Sequence, residues 1–204
     1  MHIEFLVEEE SSAAALQLLV PTIVGHSATF DIHPFQGKQD LMGSLVARLT
    51  GYAPWLPDDW RIVVLVDRDT EDCRALKRKL EAAARQAGLI TKSRASVGSQ
   101  CRVLNRIAIE ELEAWFFGDV EALRAAYPRL PSTLANKQGF RDPDAIKGGT
   151  WERLGQQLQS AGYYGAGVPK VEVARNVAAG MDPKRNRSHS FRVFRDGLRD
   201  LVAT

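Results

Sequence analysis

Apolar residues fall first into short, β-branched runs and then into helical spacing, and this alternation sets the expected fold. Ile3-Glu4-Phe5-Leu6-Val7 reads as a strand that stops at Glu8, Glu9 and Glu10. Ser11 or Ser12 can cap a helix over Ala13 to Leu19, with Pro21 and Gly25 marking its end. Ala28 to His33 alternates as a second strand, broken by Pro34 and Gly37. Leu41, Leu45, Val46 and Leu49 share one face of a helix from Gln39 to Leu49. Ile62 to Val66 is an unbroken β-branched run, the pattern of a parallel strand buried on both faces, and it ends in Asp67-Arg68-Asp69. A charged, alanine-rich helix is expected from Glu71 to Ala87. Leu89 to Thr91 and Val103 to Ile109 read as strands, the second leading into a helix from Glu110 to Phe117.

Strands alternating with helices predict an α/β fold, a mostly parallel sheet flanked by helices. Past this region the strands stop. Asp119–Tyr127, Trp151–Leu158, Lys170–Ala179 and Ser190–Leu201 read as helices, with Pro128–Gly149 rich in turns. The expected organisation is an α/β core over residues 1–127 and an α-helical C-terminal extension, 128–204, packed on it.

Composition narrows the function classes. The 204 residues suit one domain, or one with an appended lobe, and the 45% hydrophobic content is ordinary for a globular chain. Lys plus Arg number 27 against 25 acids, so a strongly basic protein that coats nucleic acid by charge alone is excluded. Two cysteines, Cys73 and Cys101, exclude a cysteine-rich scaffold and a four-cysteine zinc site, and are expected as reduced thiols. The start shows no signal peptide, and no apolar run reaches the ~18 residues of a membrane helix. A soluble cytoplasmic protein with no membrane association is expected. The four tryptophans, Trp55, Trp60, Trp115 and Trp151, are read as packing residues.

The chemistry lies at the strand ends. In an open parallel sheet, sites collect beyond the carboxyl ends of the strands. Glu8 follows the first strand, Asp67 and Asp69 the most apolar one, and Glu110, Glu111 and Glu113 another. In extended chain Asp67 and Asp69 point the same way. Converging carboxylates repel, so one takes a proton or a cation sits between them. Hard oxygen ligands suit Mg2+ or Mn2+, which polarises a phosphoryl oxygen and activates water. The competing reading makes Asp69 or Thr70 the cap of the next helix. Glu110 and Glu111 are read as helix-dipole partners or exposed acids.

A Glu after the first strand followed by Asp-x-Asp after a later one resembles the Toprim domain of topoisomerases, primases and overcoming-lysogenization-defect nucleases. More specifically, the chain resembles small bacterial Toprim-like proteins (DUF4276) often encoded beside an ABC- or AAA-type ATPase. The residues that carry this are Val7-Glu8-Glu9, Phe35-x-Gly37-Lys38, Asp67-x-Asp69-x-x-Asp72, Glu111-x-Glu113-Ala114-Trp115-Phe116, Gly148-Gly149-Thr150-Trp151-Glu152 and Ser188-x-Ser190-Phe191. The resemblance implies Glu8, Asp67 and Asp69 as catalytic metal-binding acids, with Asp72 and Glu113 as further ligands. Two departures stand out. Glu9 takes the place of a glycine common after the first Glu, and Ser12 that of another acid found in many nuclease members.

Lys147-Gly148-Gly149 before Thr150 reads either as a phosphate-accepting helix start or as a glycine turn with a Thr cap. No P-loop run is present. The stretch from Lys184, Arg185, Arg187 and His189 to Arg192, with Arg195 beyond and Lys170 and Arg175 before it, is the most basic segment, read either as a phosphate-backbone contact or as a solvated face. His2, His26 and His33 share no metal-ligand spacing. The leading expectation is a Mg2+- (or Mn2+-) dependent phosphodiesterase, a nuclease with DNA as the expected substrate. An ATPase partner in a defence-like system is implied by the resemblance. The alternative is a non-catalytic regulatory subunit of an ATPase complex. A weaker third is a phosphatase with Asp67 as nucleophile. The oligomeric state is left open, a homo-oligomer included.

Overall fold

The structure, a computed structural model, describes residues 1–96 and 100–203. Four strands form one sheet, β1 (His2–Val7), β2 (Thr29–Pro34), β3 (Trp60–Asp67) and β4 (Val103–Ala108), all parallel, in the order β2-β1-β3-β4. The helices are α1 (Glu10–Val24), α2 (Lys38–Tyr52), α3 (Cys73–Gln86), α4 (Glu113–Gly118), α5 (Val120–Ala126), α6 (Thr150–Ser160), α7 (Lys170–Ala178) and α8 (His189–Val202). This is the α/β class expected from the sequence.

The pleat explains the layers. Ile3, Phe5, Val7, Val63 and Leu65 point to one face and pack with α1, α4, α7 and α8. Leu6, Ile62, Val64 and Val66 point to the other and pack with Leu41, Leu45 and Leu49 of α2 and Leu76 and Leu80 of α3. Central β3 is therefore apolar on both sides, which is why its sequence does not alternate. The first cluster is continuous from Ile3 through Leu201, so side chains on both sides of residue 128 share it.

The C-terminal helices are held by a polar knot around Trp115. Its indole N–H donates to Ser190 Oγ at 3.0 Å, and its rings stack on Phe191 and Phe194. The Asn186 amide donates to the Trp115 carbonyl at 2.7 Å. Ser188 caps α8 by accepting from the Phe191 amide and donates to Asp144, which also accepts from the Ser190 amide. Gly118 fits here because a Cβ would stand 2.1 Å from Asn186 Oδ1.

Several local expectations are corrected. Helix α1 starts at Glu10, before Ser11 and Ser12, and runs through Pro21 to Val24. The Gly25 amide still reaches the Pro21 carbonyl, so the proline removes one helical donor without ending the helix. Thr91 makes only an isolated bridge to Val103, so Leu89–Thr91 is not a strand. Helix α3 is capped by Asp72, whose carboxylate accepts from the Ala75 amide at 2.7 Å, rather than by Asp69 or Thr70. The helix expected from Glu110 starts at Glu113. Trp55 is 56% exposed, stacked on Tyr52 and Trp60 instead of entering the core. Among the described residues, no helix is long and apolar enough to cross a membrane.

Candidate metal centre at the carboxyl edge of the sheet

Strands β1 and β3 are hydrogen-bonded neighbours, so their carboxyl ends lie side by side. Glu8 follows β1 and Asp67 closes β3. The Asp67 amide donates to Glu8 Oε1 at 2.8 Å. The surrounding turns are tied by backbone bonds: Gly37 N–H to the Glu8 carbonyl, Arg68 N–H to Ala108, and Asp69 N–H to Glu110, each 2.8 Å. Asp69 and Glu110 both adopt left-handed backbone (φ 50° and 58°), a conformation that costs an L-residue about 1–2 kcal/mol.

The left-handed turn at Asp69 aims its carboxylate at Lys38. Asp69 pairs with Lys38, 3.0 Å from Nζ. The Asp67 carboxylate lies in the field of Glu8, Glu113, Lys170 and Asp69. Lys38, the first residue of α2, also donates to the carbonyls of Asp67 (2.7 Å) and Arg68 (3.1 Å) and pairs with Glu71. Its Phe35-x-Gly37-Lys38 segment is part of the sequence resemblance, yet the sequence assigns it no role. Gly37, at φ 95°, turns the chain so that α2 can begin there.

Glu113 opens α4 and is 1% exposed, and neither of its carboxylate oxygens has a hydrogen-bond partner. Lys170, the first residue of α7, lies 3.7 Å from Glu113 Oε1, pairs with Glu9, and sits over the Trp151 ring. Lys170, read from sequence as part of a distant basic region, thus belongs to the acidic centre. Burial dominates the electrostatics. It raises Glu8 and Glu113 each to about 7, and raises Asp67 well above the usual aspartate range, with the neighbouring acids adding to the effect. Lys170 is raised despite its burial because Glu113, Glu9 and Asp67 surround it.

These residues fit a hard divalent cation. Three desolvated carboxylates are balanced by two lysines, Lys38 beside Glu8 and Lys170 beside Asp67 and Glu113, and among the described residues the Glu113 oxygens lack the hydrogen-bond partner that buried polar atoms almost always have. Glu8, Asp67, Asp69 and Glu113 are the candidates to hold such an ion; among the described residues their oxygens are not gathered within 4.8 Å of one another. Asp69 Oδ2 is also paired with Lys38, and Asp72 accepts from the Ala75 amide at the α3 cap.

The other candidates lie elsewhere. The start of α6 is closed by Glu111, whose Oε2 accepts from Thr150 Oγ1 and the Trp151 amide, both at 2.8 Å. Glu111, expected as a dipole partner, therefore caps a distant helix and takes the donors a phosphate would need. Lys147 is exposed beside it. Arg185 is committed to buried Asp119 through two bonds of 2.8 and 2.9 Å. Arg175, Lys184, Arg187 and His189 are exposed.

A family model described as "Domain of unknown function (DUF4276)" matches residues 7–199. No curated protein matches the chain. Among solved structures, the C-terminal region of the OLD protein of Xanthomonas campestris pv. campestris is similar over 98% of this chain and 95% of that one, at 18% sequence identity and a TM-score of 0.49.

Proposed function

We propose that this chain, which belongs to the DUF4276 family, is a Toprim-type phosphodiesterase that uses Mg2+ or Mn2+ to cleave nucleic acid, with DNA as the expected substrate. The observation that carries the proposal is the Glu113 carboxylate, buried with no hydrogen-bond partner among the described residues and in the field of Asp67, whose amide holds Glu8 at the carboxyl edge of a parallel sheet. Burying these acids beside two lysines that are shared with Asp69, Glu71 and Glu9 costs stability that a bound cation would offset.

Glu8, Asp67 and Glu113 would hold the ion, and the ion would supply Lewis-acid polarisation of the scissile phosphate. The chain's own residues do the rest. Glu8 spends Oε1 on the Asp67 amide, which fixes its orientation and leaves Oε2 for the ion or for the proton of an attacking water. Lys38 anchors the carbonyls of Asp67 and Arg68, so the loop carrying the aspartates is pre-set rather than ordered on binding. Lys170 keeps a positive charge beside Glu113, where it can balance the charge developing on a transferred phosphoryl oxygen. Lys147, Arg175, Lys184, Arg187 and His189, all exposed, are candidates for strand contacts. An ABC- or AAA-type ATPase partner rests on the sequence resemblance alone.

The test is nicking of supercoiled plasmid by the purified chain with Mg2+ or Mn2+. Wild-type protein should nick, EDTA should stop it, and Asp67→Asn should remove at least a hundredfold of the rate. Equal nicking by wild type and Asp67→Asn would refute the mechanism.

A further inference from the structure

A second set of ligands gathers four residues earlier on β1, about 13 Å along the strand from Glu8. We infer that His2, Glu4 and Asp31 form a binding site for a divalent transition ion of the zinc class, separate from the carboxyl-edge centre. His2 and Glu4 are two apart on β1 and so share a face, and register places Asp31 of β2 directly beside Glu4. One nitrogen of His2 and one oxygen from each acid lie within 4.8 Å of one another.

The hydrogen bonds around the trio orient these atoms. Thr29 Oγ1 lies 2.8 Å from His2 Nδ1, which turns Nε2 toward the acids. Nε2 is 3.2 Å from Glu4 Oε1 and 3.5 Å from Asp31 Oδ2. Tetrahedral zinc with bonds of about 2.0–2.2 Å needs ligand–ligand edges of roughly 3.3–3.6 Å, close to the two edges from His2, while the edge between the two acids is within 4.8 Å. Glu4 Oε2 is occupied by the Tyr52 hydroxyl, at 3.1 Å, and by His33 Nε2. That pairing leaves Oε1 to His2, and to an ion that would take the place of their hydrogen bond, and supplies the histidine–carboxylate support that outer-shell groups give to metal ligands. The His2 ring is further fixed by stacking on Trp60, with centroids 4.1 Å apart.

The donor set and the surroundings suit a dication. Two carboxylates flank one imidazole, and a mixed nitrogen and oxygen set favours zinc over magnesium. Glu4 is almost fully buried, while Asp31 is exposed on the edge strand and free to close on an ion. A cavity of about 680 Å³, lined by His33, Phe35, Arg48, Tyr52 and Trp55, reaches Glu4 of the trio. Three protein ligands leave a fourth position for water.

The test is calorimetric titration of untagged Asp67→Asn protein with Zn2+, with excess Mg2+ present to mask hard-oxygen sites. The expected result is one equivalent of Zn2+ bound, weakened at least tenfold by adding either His2→Ala or Asp31→Asn. Asp31 is exposed, so Asp31→Asn should fold normally and keeps the test valid should His2→Ala unfold. Absence of Zn2+ binding in the Asp67→Asn protein, or equal binding with and without Asp31→Asn, would overturn the inference. Either outcome leaves the nuclease proposal untouched, because that rests on plasmid nicking and a different set of side chains.

Discussion

Replacing Lys170 by methionine should destabilise the protein more above neutral pH than below it. Lys170 Nζ lies 3.7 Å from a carboxylate that has no hydrogen-bond partner. At an effective dielectric near 20, two unit charges at this distance attract by about 4 kcal/mol. Methionine recovers part of this, because it fills similar space without a desolvated ammonium. The net loss at pH 8 should be about 1–2 kcal/mol, because Glu113, raised to about 7, escapes the lost pairing by taking a proton at a cost of about 1.4 kcal/mol per pH unit. That loss requires Glu113 to be ionised. Glu113 is raised from 4.5 to about 7, so between those values the folded state binds more protons than the unfolded chain. Stability of the metal-free protein therefore falls as pH rises through that window. Lys170 is shifted upward, stays charged throughout, and does not alter the window. Near pH 5.5 Glu113 is mostly neutral, and the exposed part of the Glu9 pairing is worth only about 0–1 kcal/mol. Urea unfolding in EDTA at pH 8 and pH 5.5 measures both values. An equal loss at the two pH values, or a larger one at pH 5.5, would refute the electrostatic reading of the centre.

Mg2+ or Mn2+ should raise the thermal midpoint more at pH 8 than at pH 5.5, because protons compete for the same carboxylates; a calorimetric scan should show no shift in Asp67→Asn. Gly118→Ala should cost about 1–3 kcal/mol by urea unfolding, since its Cβ would meet Asn186 Oδ1 at 2.1 Å and the Ser188 amide nitrogen at 3.0 Å. Ser188→Ala should cost about 1–2 kcal/mol by the same measurement, through loss of the α8 cap and of a donor to Asp144. A smaller effect for Gly118→Ala than for an exposed glycine such as Gly43 would contradict the close packing of Asn186.

The strand ends are legible because a parallel strand buried on both faces must be apolar until it leaves the core. The switch from Val7 to Glu8 and from Val66 to Asp67 marks that exit. What happens after the exit is decided by backbone the residue types do not announce. Asp69 turns left-handed and aims at Lys38, while Asp72 takes the helix cap that the run Asp69-Thr70 seemed equally suited to take. Lys170 could not be placed from its basic neighbours, because only the packing of α7 on α1 brings it to Glu9 and Glu113. His2 and Asp31 have no sequence spacing that marks them as partners. They meet because Glu4 pairs with Asp31 in the register of β1 and β2, a relation set by tertiary structure. Pro21 shows the reverse case. It is a strong local stop signal, overridden because Leu16, Leu19, Val20 and Ile23 bury a continuous face on either side of it.

The account rests on Glu8, Asp67 and Glu113 sharing one divalent ion. A crystal soaked in Mn2+, with data collected at a wavelength sensitive to manganese, addresses that directly. The account predicts an anomalous peak bonded to oxygens of Asp67 and Glu113, with Glu8 as a third ligand, and no peak there in Asp67→Asn crystals. Manganese bound elsewhere, with Glu113 still lacking a partner, would contradict it.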